Sequence, residues 1–254
     1  MKLSQQVIAE FVGTLALVFI GAGSVVILSL YMAGNTGILG IALAHGLVLA
    51  VMVTSLGHIS GGHFNPAVTV GVWVTGKIES GRAAVYILTQ LAGAAAGAGL
   101  LRLAIPESIW SKTFLGLPTI NHANGITNGK GVLIEAILTF FLVFTVFATA
   151  IDERGAWKAI AGFAIGLVLT FDILMGGPFT GAAMNPARWF GPALVGGKWT
   201  DFWVYIAGPL TGAIIAAALY WFSFLRPSDT EVVVVAEAFI ETGEVLDEPD
   251  AAGG

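Results

Sequence analysis

Cysteine is absent from the 254 residues, which excludes disulfides, thiolate metal sites and thiol chemistry. Charge is scarce: Asp, Glu, Lys and Arg together make up 11% of the chain, against about 25% in soluble domains. A soluble fold of this size would have too much apolar surface to hide. Basic residues are missing altogether after Arg226, whereas Asp229, Glu231, Glu237, Glu241, Glu244, Asp247, Glu248 and Asp250 all follow it. The net charge of −5 is set by that end, and the remainder is net positive. Residues 227–254 therefore read as a solvated, disordered acidic tail.

What the chain has in quantity is long uncharged runs. They predict membrane helices at about 7–31, 37–56, 82–104, 131–151, 158–176 and 201–225. Each is near the length that crosses about 30 Å of hydrocarbon. Lys2 before the first run gives it the look of a signal peptide, but Glu10 lies inside it and the run is too long, so it reads as a span. The polar or Gly/Pro stretches Gly34-Asn35, Pro106 to Lys130 and Asp152-Glu153-Arg154 are the expected loops. Two apolar segments, 65–76 and 185–196, are too short to cross. As helices each covers roughly 18 Å, about half a bilayer. They read as re-entrant half-helices, tolerated in lipid only where their ends line a cavity or are buried in protein.

The two halves of the chain repeat. Ile8-Ala9-Glu10, Thr14 and Leu17-Val18-Phe19 match Leu133-Ile134-Glu135, Thr139 and Leu142-Val143-Phe144. Ser60 to Ala67 matches Thr180 to Ala187, and Tyr86-Ile87 with Gly93-Ala94 matches Tyr205-Ile206 with Gly212-Ala213. The repeats are assigned to 1–113 and 131–226, with a connecting loop at 114–130. Each copy holds three spans and one half-helix. Three is odd, so the second copy enters the membrane from the opposite side, and an inverted repeat places its special site near the midplane. The expected fold class is an all-α membrane protein with six spanning helices and two half-helices. With the N-terminus inside, Lys2, Lys77, Arg82, Arg154, Lys158 and Arg226 are cytoplasmic, and Arg102, Lys112, Lys130 and Lys198 are not. That asymmetry puts both termini in the cytoplasm.

Each half-helix opens with Asn-Pro-Ala: Asn65-Pro66-Ala67 and Asn185-Pro186-Ala187. Asn is a strong N-cap, because its side-chain oxygen accepts from a free N–H of the first turn. Pro suits the first helical position, where its missing N–H would have been unpaired. The capping Asn keeps its NH₂ to point into a cavity. Two such starts meeting at mid-membrane put two electropositive helix ends together, a field that repels protons and other cations.

With these motifs the sequence resembles the aquaporin (major intrinsic protein) family over about residues 5–225. Glu10 and Glu135, Gly57-His58-Ile59-Ser60-Gly61, the two Asn-Pro-Ala boxes and the continuation Arg188-Trp189-Phe190-Gly191-Pro192 carry the likeness. The resemblance implies the hourglass fold, a pore in each subunit and a homotetramer. By offset from the boxes it implies a selectivity filter of His45, Ile173, Ala182 and Arg188. That set, and Gly177-Pro178-Phe179-Thr180-Gly181-Ala182, are similar to the plant vacuolar-membrane (tonoplast intrinsic) branch. Strict water pores of the family carry Phe and His at the first two filter positions, and glycerol-type pores carry Asp where Trp189 stands. The departures imply a wider, more polar filter that passes ammonia or urea besides water.

Single residues carry competing readings. Arg188, a charge within the membrane, is either a packing residue or a donor to passing oxygens. His45 by itself reads as a core histidine; its offset makes it a filter residue. Glu10 and Glu135 are either a proton relay or acceptors for the N–H groups of the re-entrant loops, and their repeat-related positions favour the latter. Asp172 reads as an interhelical hydrogen-bonding group or as a bias toward polar and basic solutes, and the sequence leaves both open. His58 and His63 are expected to have no carboxylate or cysteine close by and read as loop packing, not metal ligands. His122 reads as a solvated loop residue.

The expected activity is a passive channel for water and small uncharged solutes (ammonia, urea, glycerol) that excludes protons and ions. No cofactor, metal or nucleic acid is implied, and the lipid bilayer and further copies of the chain are the expected partners. A secondary transporter shares inverted repeats and broken helices and predicts saturable, ion-coupled flux. A membrane enzyme needs a nucleophile–base pair or metal cluster, and the sequence offers none. Whether the membrane is plasma, inner or vacuolar stays open.

Overall fold

The computed structural model describes residues 1–31, 37–154 and 158–226. The acidic tail and the break at Gly34-Asn35 lie outside the described residues. Among the described residues six apolar helices are long enough to cross a membrane: α1 (Leu3–Tyr31), α2 (Gly37–Ser60), α4 (Ser80–Ala104), α5 (Asn128–Ile151), α6 (Ala161–Thr180) and α8 (Val204–Leu225). Between them, besides the single turn Glu107–Trp110, lie the half-length helices α3 (Pro66–Val74) and α7 (Pro186–Gly196). No strand occurs among the described residues. The protein is an all-α membrane fold built on an inverted three-helix repeat.

Boundaries differ from expectation most at α6. Its span was expected to stop at 176, ahead of Pro178, but the helix continues to Thr180. Every helix end leaves its last carbonyls without intrahelical partners. Asn121 supplies them, its backbone N–H donating to Phe179 O at 2.8 Å and its Nδ2 to Pro178 O at 3.1 Å. The connecting loop thus completes the end of α6. Gly181, at φ +79°, then turns the chain toward α7.

Helices pack in repeat-related pairs. α1 lies on α4, and α5 on α8. Small residues permit the approach: a Cβ on Gly93 would stand 2.6 Å from Phe11 O, and one on the matching Gly212 would collide with Ala136 O. Outward faces stay apolar and exposed, as at Leu47, Leu88, Phe163 and Ile215, the surface expected toward lipid. Residues that would be costly there, Glu10, Glu135, Asp172, Asn65, Asn185 and Arg188, are all buried.

α1 and α5 each contain a π-helical stretch, Leu17–Ala22 and Phe147–Ile151. The extra residue per turn shifts the face that each helix presents to the centre.

Candidate functional site

The half-helices begin where the sequence places them, on Asn65 and Asn185. Asn65 Oδ1 accepts from Ala67 N at 2.8 Å, and Asn185 Oδ1 accepts from Ala187 N at 2.9 Å and Arg188 N at 3.2 Å. Each caps its own helix, with Pro at the first helical position. The amide NH₂ groups are less free than expected. Asn65 Nδ2 donates to Met184 O at 2.9 Å, and Asn185 Nδ2 donates to Phe64 O at 2.9 Å. One hydrogen of each amide therefore cross-braces the opposite loop, and one remains for the cavity.

The residues before the caps, Phe64 and Met184, have φ of 48° and 50°. A side chain there costs energy unless the surroundings hold it. A buried carboxylate does so in both repeats. Glu10 accepts from Phe64 N (2.7 Å), His63 N (3.0 Å), Ser60 Oγ (2.7 Å) and Gln90 Nε2 (2.8 Å). Glu135 accepts from Met184 N (2.7 Å), Ala183 N (3.0 Å) and Thr180 Oγ1 (2.6 Å). His63 therefore does have a carboxylate beside it, contrary to the reading from sequence. The helix that carries it is 53 residues away in the chain, beyond any local pattern. Among the described residues no group of three or more His, Cys, Asp or Glu is placed to hold a metal.

The supports that sequence reasoning missed are also paired. Tyr86 Oη donates to Ser60 O at 2.9 Å, and Tyr205 Oη donates to Thr180 O at 2.8 Å. Their matching positions in the repeat were the available signal. Gln90 and Thr69 have no counterpart: Gln90 Nε2 donates to Thr69 Oγ1 at 2.9 Å, and His63 Nδ1 lies 3.0 Å from the same oxygen. The second repeat has Pro209, Trp189 and Ala183 at those places.

Arg188, in the first turn of α7, is 4% exposed. Its Nη2 donates to Gly116 O at 2.8 Å and its Nε to His45 Nε2 at 3.2 Å. His45 Nδ1 lies 2.9 Å from Ile41 O. A carbonyl oxygen only accepts, so Nδ1 carries the ring proton and Nε2 is the acceptor for Arg188. The imidazole is neutral in this arrangement and fixed at both nitrogens. Arg188 Nη1 is buried with no partner among the described residues, a donor held ready without one.

One narrow cavity collects these groups. Asn65, Asn185, His45, Ala182 and Arg188 line it, among aliphatic residues of four spans. About 30 Å³ is open to the centres of water molecules, room for about two in line. Ile173, the remaining expected filter residue, is buried on α6 outside this lining. Asp172 is 1% exposed, and its Oδ2 has no hydrogen-bond partner among the described residues. A wider cavity of about 320 Å³ adjoins the end bearing Gln6, Lys77, Arg82 and Glu153. It shares His63 and Val146 with the narrow stretch, as a mouth would.

Comparison with known proteins agrees with this architecture. The family model described as Major intrinsic protein matches residues 1–220. The chain is 45% identical to "Aquaporin TIP4-4" of Zea mays over 219 residues, 84% of each protein. It is 46% identical to "Probable aquaporin TIP3-2" of Oryza sativa subsp. japonica over 241 residues, 91% of this chain and 88% of that one. The X-ray structure of the aquaglyceroporin from Plasmodium falciparum superposes with a TM-score of 0.76 at 23% identity, over 88% of this chain and 98% of that one. At that identity the likeness speaks to the fold alone.

Proposed function

The chain belongs to the major intrinsic protein family and is a passive channel for water and small solutes, not an enzyme; from that premise we propose which residues form its pore and what they let through. Solute passes in single file between the starts of α3 and α7. It exchanges part of its hydration for Arg188 Nη1 and then for the free amide hydrogens of Asn65 and Asn185. The observation that carries this is the cross-brace. Two capped helix starts, tied to each other's loops at 2.9 Å, share one cavity with a buried arginine. Both helix ends and the guanidinium are positive, so cations, protons included, meet an unfavourable field while neutral solutes do not.

The filter is His45, Ala182 and Arg188, which line the cavity, with Ile173 assigned as its fourth member by offset from the second Asn-Pro-Ala box alone, and ammonia and urea pass besides water. The support is that the His45 ring lies back against Arg188, and Ala182 adds little bulk opposite. Glu10 and Glu135 are structural: every carboxylate oxygen is bonded to the re-entrant loops or their neighbours. This leaves neither acid free to relay protons and argues against an ion-coupled transporter. The termini face the cytoplasm, which the Lys and Arg asymmetry supports, and four copies assemble in the bilayer, each with its own pore.

Shrinkage and swelling of liposomes holding the purified chain, under water, ammonia, urea and glycerol gradients, test the assignment. Arg188→Ala is expected to loosen discrimination among these solutes. An unchanged ranking would reject the filter.

A further inference from the structure

We propose that Gly21, on α1 and outside the cavity lining, is a positioning residue for the constriction: its missing side chain is the seat on which the His45 ring rests, and the ring's withdrawal onto it sets the free width beside Arg188. The inference rests on the reading of His45 and Arg188 as the filter.

The contact is close and specific. A Cβ added to Gly21 would stand 2.6 Å from His45 Cδ2, 2.7 Å from Nε2 and 3.1 Å from Cγ. All three nearest atoms belong to this one ring. Ordinary contact begins at about 3.4 Å, so the ring would have to move by most of an ångström. It has little slack in place, because Nδ1 is bonded to Ile41 O and Nε2 to Arg188 Nε. The free volume it borders is the cavity, since His45 lines that space and Gly21 does not. A methyl group at position 21 therefore drives the ring toward the lumen and pulls on the arginine.

The second repeat shows what the same place holds when no ring must be seated. By the repeat register that pairs Glu10 with Glu135 and Leu17 with Leu142, Gly21 corresponds to Val146. By the register that pairs Ser60 with Thr180, His45 corresponds to Ile165. Val146 and Ile165 both line the cavity. Where the second repeat puts two aliphatic side chains on the wall, the first puts a glycine and a ring behind which nothing else fits. Gly21 also lies in the π-helical stretch Leu17–Ala22, a backbone feature that re-aims a helix face and recurs at functional sites.

The test uses the full chain in liposomes, with Gly21→Ala, His45→Ala, the double variant and Arg188→Ala. The readout is the permeability to water and to the largest solute the unaltered chain conducts among ammonia, urea and glycerol. Gly21→Ala is expected to lower the solute-to-water ratio about tenfold, the discrimination one methyl commonly gives in a confined site. In the His45→Ala background the same substitution is expected to leave the ratio unchanged. An effect of equal size with and without the ring overturns the inference, and so does no effect with it. If Gly21→Ala does not accumulate, recovery of folded protein in the double variant supports the seat, and failure there too overturns it. If His45→Ala and Arg188→Ala both leave the solute ranking untouched, the filter reading itself falls and this inference with it. A ranking altered by them but indifferent to Gly21 sinks this inference alone.

Discussion

Removing the carboxylate of Glu10 should cost more than blunting it, by an amount that the bonding pattern sets. In Glu10→Ala the N–H groups of His63 and Phe64 lose their acceptor. A buried donor left unpaired costs about 1–3 kcal/mol, so the pair costs roughly 2–6 kcal/mol. The other two donors have alternatives. Gln90 Nε2 already reaches Thr69 Oγ1, and the Ser60 hydroxyl can turn. In Glu10→Gln one oxygen remains. The amide NH₂ settles where Ser60 Oγ can turn to accept from it, the side that also serves His63 N. Only His63 N–H is then stranded, about 1–3 kcal/mol, half the alanine cost. Thermal unfolding of the detergent-solubilised chain, with water permeability in liposomes as a check on the pore, would show both. An alanine variant as stable as the unaltered chain, or a glutamine variant as unstable as the alanine one, would refute the account. Glu135→Ala strands the N–H groups of Ala183 and Met184 and should fall in the same range.

Asn65→Ala and Asn185→Ala each remove a cap, worth about 0.5–2 kcal/mol, and one strut of the cross-brace. Because each strut fixes the loop that presents the other cap, the double variant should depart from additivity by more than about 0.5 kcal/mol in unfolding measurements; strict additivity would mean the loops are independent. In the middle of the connecting loop, His122 Nδ1 faces Ile126 O at 2.8 Å and Nε2 faces Asp201 at 3.0 Å. Both partners are acceptors, so only the protonated ring makes both bonds. The Asp201 bond, then the Ile126 carbonyl, raise its pKa above 6.5. This stabilisation is complete below the ordinary value and is lost as pH rises through the raised one. An NMR titration should place the His122 midpoint above 6.5 and return it toward that value in Asp201→Asn; a midpoint at or below 6.5 in the unaltered chain would sink the clasp. Asp152 accepts from Arg154 through two guanidinium nitrogens and the backbone, and from Tyr220 Oη. Arg154 chiefly holds its carboxyl at about 2. Its contribution is present above 3.8 and fades as pH falls through about 2, so Asp152→Asn should flatten the acid limb of stability against pH, and an unaltered limb would contradict this.

Much of the fold was legible because membrane physics leaves few choices. Backbone groups in lipid must be satisfied within helices, so run length by itself separates a span from a half-span. Asn-Pro-Ala announced each half-helix start because capping and the proline's missing N–H are local properties of three residues. Repetition paired Glu10 with Glu135 and pointed to their shared task. Other features depended on helices distant in sequence coming together. Neither the second use of the Asn65 and Asn185 amides nor the support of Phe64 and Met184 at positive φ is visible in any local window. The same holds for Gly116, whose carbonyl meets Arg188 only after the connecting loop folds back, and for Asn121, which caps the carbonyl end of α6.

Sequence by itself determined the number of crossings, their inverted repetition, the two capped half-helices and the family resemblance, because each is a matter of length, period or short-range chemistry. Tertiary structure decided where the caps' free hydrogens go, which way His45 lies, how narrow the passage is and what Gly21 leaves room for. Those are relations between atoms whose residues lie tens of positions apart, and only packing brings them within bonding distance.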